Sequence, residues 1–220
     1  MASVSLPPSL DRRLAALAVR VRWVRALRGA SLVLVVAILT ATAIVALDAA
    51  ARPAGWARCG LQVGWLACVL GAAHGRPWIG PAVVLATLVI HVRAQPPADR
   101  AREVLVLAVA AVLGLLVDTT LISAGVITAG AVTVSPVWLI ALWPNVAAAT
   151  ARTGSLAFLD ERPILASLVG AVAAPLAYQA GSRLGAIGLG NDAARALLAI
   201  GAAWSCVLPT FFWLRHFGKR

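Results

Sequence analysis

Charge is what this sequence has least of. Of its 220 residues only 12% are charged, about half the share typical of soluble domains. Acid is the scarcer sign, with 8 Asp+Glu against 19 Lys+Arg and a net charge of +11. Together with 61% hydrophobic residues and a mean hydropathy of +0.91, this excludes a disordered chain and an ordinary cytosolic enzyme. The three cysteines, Cys59, Cys68 and Cys206, lack metal-ligand spacing and read as small packed hydrophobes, which excludes a secreted disulfide scaffold. No H-E-x-x-H, Ser/His/Asp set, phosphate-binding glycine loop or haem-type histidine pair is present. No metal and no cofactor is therefore expected. The cations do not gather on one polar domain, so no nucleic-acid partner is expected. What remains is an integral membrane protein.

The chain reads as two parts, residues 1–55 and residues 56–220. In the first, Pro7-Pro8-Ser9 supplies a helix start with Ser9 as N-cap. Leu10, Leu14, Leu17, Val21 and Val24 then recur at helical spacing among six arginines. The pattern is that of a basic amphipathic helix lying on anionic headgroups, with a simple charged lead-in as the alternative. Residues 31–47 carry no charge and form a first candidate span, stopped by Asp48. Six further spans are bounded by charge or Pro/Gly: 56–73, 78–92, 103–122, 136–151, 164–180 and 194–214. The fold class is thus all-α, a polytopic transmembrane helical bundle of about seven spans, a six-span core plus one N-terminal span, with six or eight as the alternatives.

Cytoplasmic loops collect Lys and Arg. Across the core, one side holds Arg52, Arg58, Arg93, Arg100, Arg102, Arg152, Arg162, Arg215, Lys219 and Arg220, and the other Arg76, Arg183 and Arg195. Both ends of the core are therefore expected in the cytoplasm, and the protein in a bacterial inner membrane. The N-terminal arginines oppose this, since one span separates them from the core. Either 31–47 is re-entrant or one terminus sits against the rule.

Asp118 lies deep in an apolar span, where a charge costs at least about 2.5–3.5 kcal/mol. Ala110 and Gly114 share its helix face, and small residues there admit a second helix, so Asp118 should face the bundle. The expected topology brings His74, Arg76, Tyr178 and Arg183 to the same side. Three readings stay open: an Asp118–Arg183 pair that locks two helices, a binding or catalytic cluster of Asp118, Arg183, Tyr178, His74 and Arg76, or Asp118 in water at a helix end. A second candidate is a helix break at Pro144 and Asn145, where proline frees a backbone carbonyl in mid-span; Pro175 and Pro209 do the same elsewhere, and harmless kinks are the alternative. Gly60/Gly64 and Gly181/Gly185 give two G-x-x-x-G spacings, expected at close helix packing or a dimer face. His91 and His216 are explained by interfacial placement beside Arg93 and Arg215.

Four strings carry a resemblance: Gln62-Val63-Gly64-Trp65-Leu66-Ala67-Cys68-Val69, Gly114-Leu115-Leu116-Val117-Asp118-Thr119-Thr120, Pro136-Val137-Trp138-Leu139-Ile140-Ala141-Leu142-Trp143, and Pro175-Leu176-Ala177-Tyr178-Gln179-Ala180-Gly181-Ser182-Arg183-Leu184-Gly185-Ala186. In this order and spacing, residues 61–216 resemble the bacterial inner-membrane family known as domain of unknown function 2878. The first 55 residues are an addition, and Ala174 stands where glycine is expected. The resemblance implies a multi-pass helical fold and no particular activity.

The functional expectation is a non-enzymatic helper or carrier for lipid-derived or small apolar material. The alternatives are a small transporter using an Asp118/Arg183 cluster, and an intramembrane enzyme of acyl-chain modification with Asp118 or His74 as acid/base. Expected partners are the bilayer, through anionic headgroups at the N-terminal helix, and a membrane protein or a second copy of the chain.

Overall fold

The six apolar stretches of the core fold as six helices in the computed structural model, which describes residues 56–217. They are α1 (Trp56–Ala73), α2 (Ile79–Ala94), α3 (Arg100–Ser123), α4 (Val137–Ala149), α5 (Pro163–Arg183) and α6 (Ala193–His216). The N-terminal amphipathic helix and the 31–47 span lie outside the described residues.

Local chemistry sets the ends. Pro163 opens α5 at its first turn, where the missing N–H is no loss. Asp192 caps α6, its Oδ1 accepting from the Ala194 and Arg195 amides at 3.1 Å each. Helices α3 and α5 stop alike. Gly125 (φ 68°) and Gly185 (φ 85°) take the left-handed conformation after them, and the following amides bond back to Leu121 and Gly181. Each helix then runs into a two-residue strand, β1 (Ile127–Thr128) and β2 (Gly188–Leu189). The strands pair antiparallel, Ile127 opposite Leu189, and fasten the two loops together.

Among the described residues three helices are long and apolar enough to cross a membrane: α3 with its 3-10 lead-in (Pro97–Ser123), α5 and α6. Seven spans are not confirmed, the 31–47 span lying outside the described residues. Helix α2 and the Cys59–Ala73 part of α1 are shorter apolar helices, and α4 has 13 residues. At 1.5 Å per residue α4 is about 20 Å long, well short of a hydrocarbon core of about 30 Å. It can be short because protein surrounds it: it packs on α1, α2 and α3, and Trp138, Leu139, Trp143, Pro144, Asn145, Ala147 and Ala149 are all buried. Helices α5 and α6 form a second pair, joined to the rest through α3 against α6. The outward faces are apolar, with Leu85, Ile90, Leu105, Leu116, Ile164, Leu168 and Leu198 at least half exposed, a surface suited to lipid and not to water.

At the candidate helix break α4 continues through Pro144, as α5 does through Pro175 and α6 through Pro209. Neighbouring helices hold the segment in register. The two glycine spacings do not both mark close packing. Gly64 does, since a Cβ there would fall 2.5 Å from the Asn145 side chain, but Gly60 faces open space and Gly185 ends a helix. The α5–α6 approach is made instead by Gly170, against the Trp204 carbonyl, and Gly201, against the Ala171 carbonyl.

Candidate functional site

Helix α3 carries one buried stripe from end to end: Glu103, Leu107, Ala110, Gly114, Asp118 and Leu121. The spacing of three and four residues keeps these on one face. An acid stands near each end of the stripe, about 22 Å apart at the α-helical rise, and each organises a polar cluster.

The deeper cluster centres on Asp118, which is 0% exposed. Tyr178 of α5 donates its hydroxyl to Oδ1 at 2.6 Å, and Trp143 of α4 donates its indole N–H to Oδ2 at 2.7 Å. Gly114 makes the second bond geometrically feasible, because the Trp143 ring occupies the space a Cβ would take. Trp143 in turn lies on Trp204 of α6, ring centroids 4.8 Å apart, and edge-on to Phe211 at 6.4 Å. Two hydrogen bonds to a charged group contribute about 1.5–3 kcal/mol each, which offsets the insertion cost of the carboxylate. The cluster therefore ties α3, α4, α5 and α6 without any cation.

Of the residues expected around Asp118, only Tyr178 is there. Arg183 is exposed and makes no ion pair with Asp118 among the described residues. His74 and Arg76 are exposed in the α1–α2 turn, and His74 Nδ1 is 2.8 Å from the Leu70 carbonyl of its own helix. The partner that sequence reasoning missed is Trp143. Asn145 serves a different contact, its Nδ2 donating to the Leu61 carbonyl of α1 at 2.9 Å, so its amide holds α1 against α4. The Trp204 indole N–H, a neighbour of the Tyr178 hydroxyl, is a buried donor with no hydrogen-bond partner among the described residues.

Sequence reasoning did not anticipate the second cluster. Glu103 is 5% exposed at the start of α3 and meets Arg215 of α6 in a two-pronged pair, Nη1–Oε2 2.5 Å and Nη2–Oε1 2.9 Å. His91 of α2 places Nε2 2.8 Å from Oε1. Arg215 donates further to Thr150 Oγ1 at 2.8 Å and to the Ala147 carbonyl at 2.7 Å, both at the end of α4. Four helices meet at this one ion pair. His91 and His216 are therefore not merely interfacial, since His216 Nε2 also lies 2.7 Å from Asp160 Oδ1. The sequence did carry a signal: Glu103 falls on the Asp118 face, where an acid without a partner would not be tolerated.

Above the Glu103–Arg215 pair opens a cleft of about 320 Å³. Its floor is that pair with Thr150, and its walls come from Gln95, Asp99 and Arg102 on one side and from the 151–161 loop and His216 on the other. Arg102 leans across to the last carbonyls of α6, donating to Phe217 and, at 3.5 Å, to Leu214, as a cation does at a helix C-terminus. Glu161 holds its backbone at φ 61°, a conformation that costs a non-glycine residue free energy and that recurs at functional sites. Among the described residues no three His, Cys, Asp or Glu side chains are grouped to hold a metal ion.

A family model described as "Protein of unknown function (DUF2878)" matches residues 57–210. No curated protein and no solved structure matches the chain.

Proposed function

This chain belongs to the DUF2878 family of proteins of unknown function, and we propose from its geometry that it is a non-enzymatic membrane helper or carrier for lipid-derived or small apolar material. The observation that carries the proposal is the polar cleft at the ends of α3, α4 and α6. These are the ends of apolar helices, so the cleft lies at the depth where headgroups sit. An amphiphilic ligand needs this juxtaposition: a recess for its polar end, and apolar helix faces along which its chain can lie. Leu105 of α3 and Trp213 of α6, each more than half exposed, are borne by the same helix ends.

Asp118 suits the alternatives less well. Both its oxygens are engaged and none of it is exposed, so it offers no free atom to a transported ion or to an acyl substrate. Arg58, Arg93, Arg100, Arg102, Arg152, Arg162 and Arg215 belong to the cleft end, against Arg76, Arg183 and Arg195 at the other. By the positive-inside rule the cleft then faces the cytoplasm, in a bacterial inner membrane.

The test is the lipid profile of a strain lacking the gene, set beside the same strain carrying it on a plasmid. A shift in the abundance of particular lipid species, restored by the plasmid, is expected. Identical profiles with and without the gene would contradict the lipid-handling role.

A further inference from the structure

The charges lining the cleft divide into two groups. Glu103 is consumed by Arg215 and His91, and Asp160 by His216. The side chains of Arg152, Asp99 and Glu161 have no partner among the described residues, and all three are exposed to the cleft's mouth. One unpaired cation and two unpaired acids thus line a single recess. Arg102 adds positive charge beside Asp99, with only part of its guanidinium used on the α6 carbonyls. A simple anion would meet Arg152 and Arg102 but also two free carboxylates. A simple cation would meet the carboxylates but also the arginines. The ligand that satisfies both is dipolar.

We propose that the cleft binds the zwitterionic headgroup of a phospholipid, a phosphate carrying a short arm that ends in an ammonium. This rests on the lipid-handling reading above and gives that reading a substrate class. Arg152 and Arg102 bind the phosphate, because guanidinium N–H groups match phosphate oxygens in pairs. Asp99 and Glu161 face the ammonium. The Glu103–Arg215 pair forms a rigid, neutral floor, which keeps the recess from favouring either charge alone. A volume of about 320 Å³ lies at the small end of ligand pockets, enough for a headgroup while the acyl chains stay outside on the apolar faces. The strained backbone at Glu161 holds that residue at the cleft wall, and the Asp160 carboxylate accepts its amide at 3.2 Å.

The experiment is native mass spectrometry of the full chain in detergent, titrated separately with dioleoyl phosphatidylethanolamine, dioleoyl phosphatidylglycerol and soluble glycerophosphoethanolamine. Retention of the ethanolamine lipid about tenfold above the glycerol lipid is expected, the equivalent of one charge-assisted contact. Arg152→Ala and Glu161→Gln, both at exposed positions, should each lower ethanolamine-lipid retention. Glu161→Gln should in addition raise the glycerol lipid relative to it, because the repulsion of an anionic headgroup is relieved. Equal or stronger retention of phosphatidylglycerol by the unsubstituted chain overturns zwitterion recognition while leaving lipid handling intact. Glycerophosphoethanolamine retained as strongly as the lipid overturns lipid handling while leaving dipole recognition intact. If neither substitution changes retention, the headgroup is not in this cleft and the proposal fails.

Discussion

Asp118 spends both carboxylate oxygens on two donors that belong to different helices. That makes the residue a fastening. Removing one donor should cost about 1–3 kcal/mol, the penalty for a buried charged acceptor left partly unsatisfied. Tyr178→Phe should accordingly lower the thermal midpoint of the purified protein in detergent. Combining it with Asp118→Asn should cost less than the two singly, since both sever one bond. Gly114→Ala should destabilise at least as much, because its methyl group claims the place of the Trp143 ring. The sequence disclosed the buried acid, its small-residue face and, in the only tyrosine of the chain, one of its partners. It did not disclose Trp143, because tryptophan in an apolar span signals bulk and interface. Its indole N–H becomes legible only when packing aims it. Arg183 misled for a related reason: a cation on the correct side was close in topology, yet it stands at the very end of its helix, where solvation costs nothing.

Helix α3 links the two clusters, and its cleft end rests on the Glu103–Arg215 pair. Breaking a buried pair from one side is expensive because the other charge is stranded. Arg215→Ala should therefore cost about 3–5 kcal/mol and sharply reduce accumulation in the membrane. Glu103→Gln keeps the hydrogen-bonding shape and should cost less. Western blotting of membrane fractions, with thermal melts where protein is recovered, orders the two. All six core helices are legible as runs of apolar residues between charges and Pro/Gly. Two things are not. Hydropathy measures how apolar a segment is, not whether its neighbours are lipid or protein, so α4 reads as a span although it is a short helix enclosed by others. Proline reads as a break, but α4 runs on through Pro144 with tertiary contacts around it.

Across the molecule, polar chemistry is parted between a closed interior cluster and an open cleft at the helix ends. Charge of both signs gathers at that cleft, where Arg102, Arg152 and Arg215 share one recess with Asp99, Glu103, Asp160 and Glu161. Substitutions in the two places should therefore fail differently. The most direct measurement compares Asp118→Asn and Arg152→Ala in the deletion strain, with membrane abundance and lipid profile read from the same cultures. Asp118→Asn should reduce abundance, with the lipid profile failing only in proportion to the protein lost. Arg152→Ala should accumulate at the unsubstituted level and still fail to restore the profile. Asp118→Asn protein at full abundance that leaves the profile unrestored, beside an Arg152→Ala variant that restores it fully, would contradict this division and place the working site at Asp118.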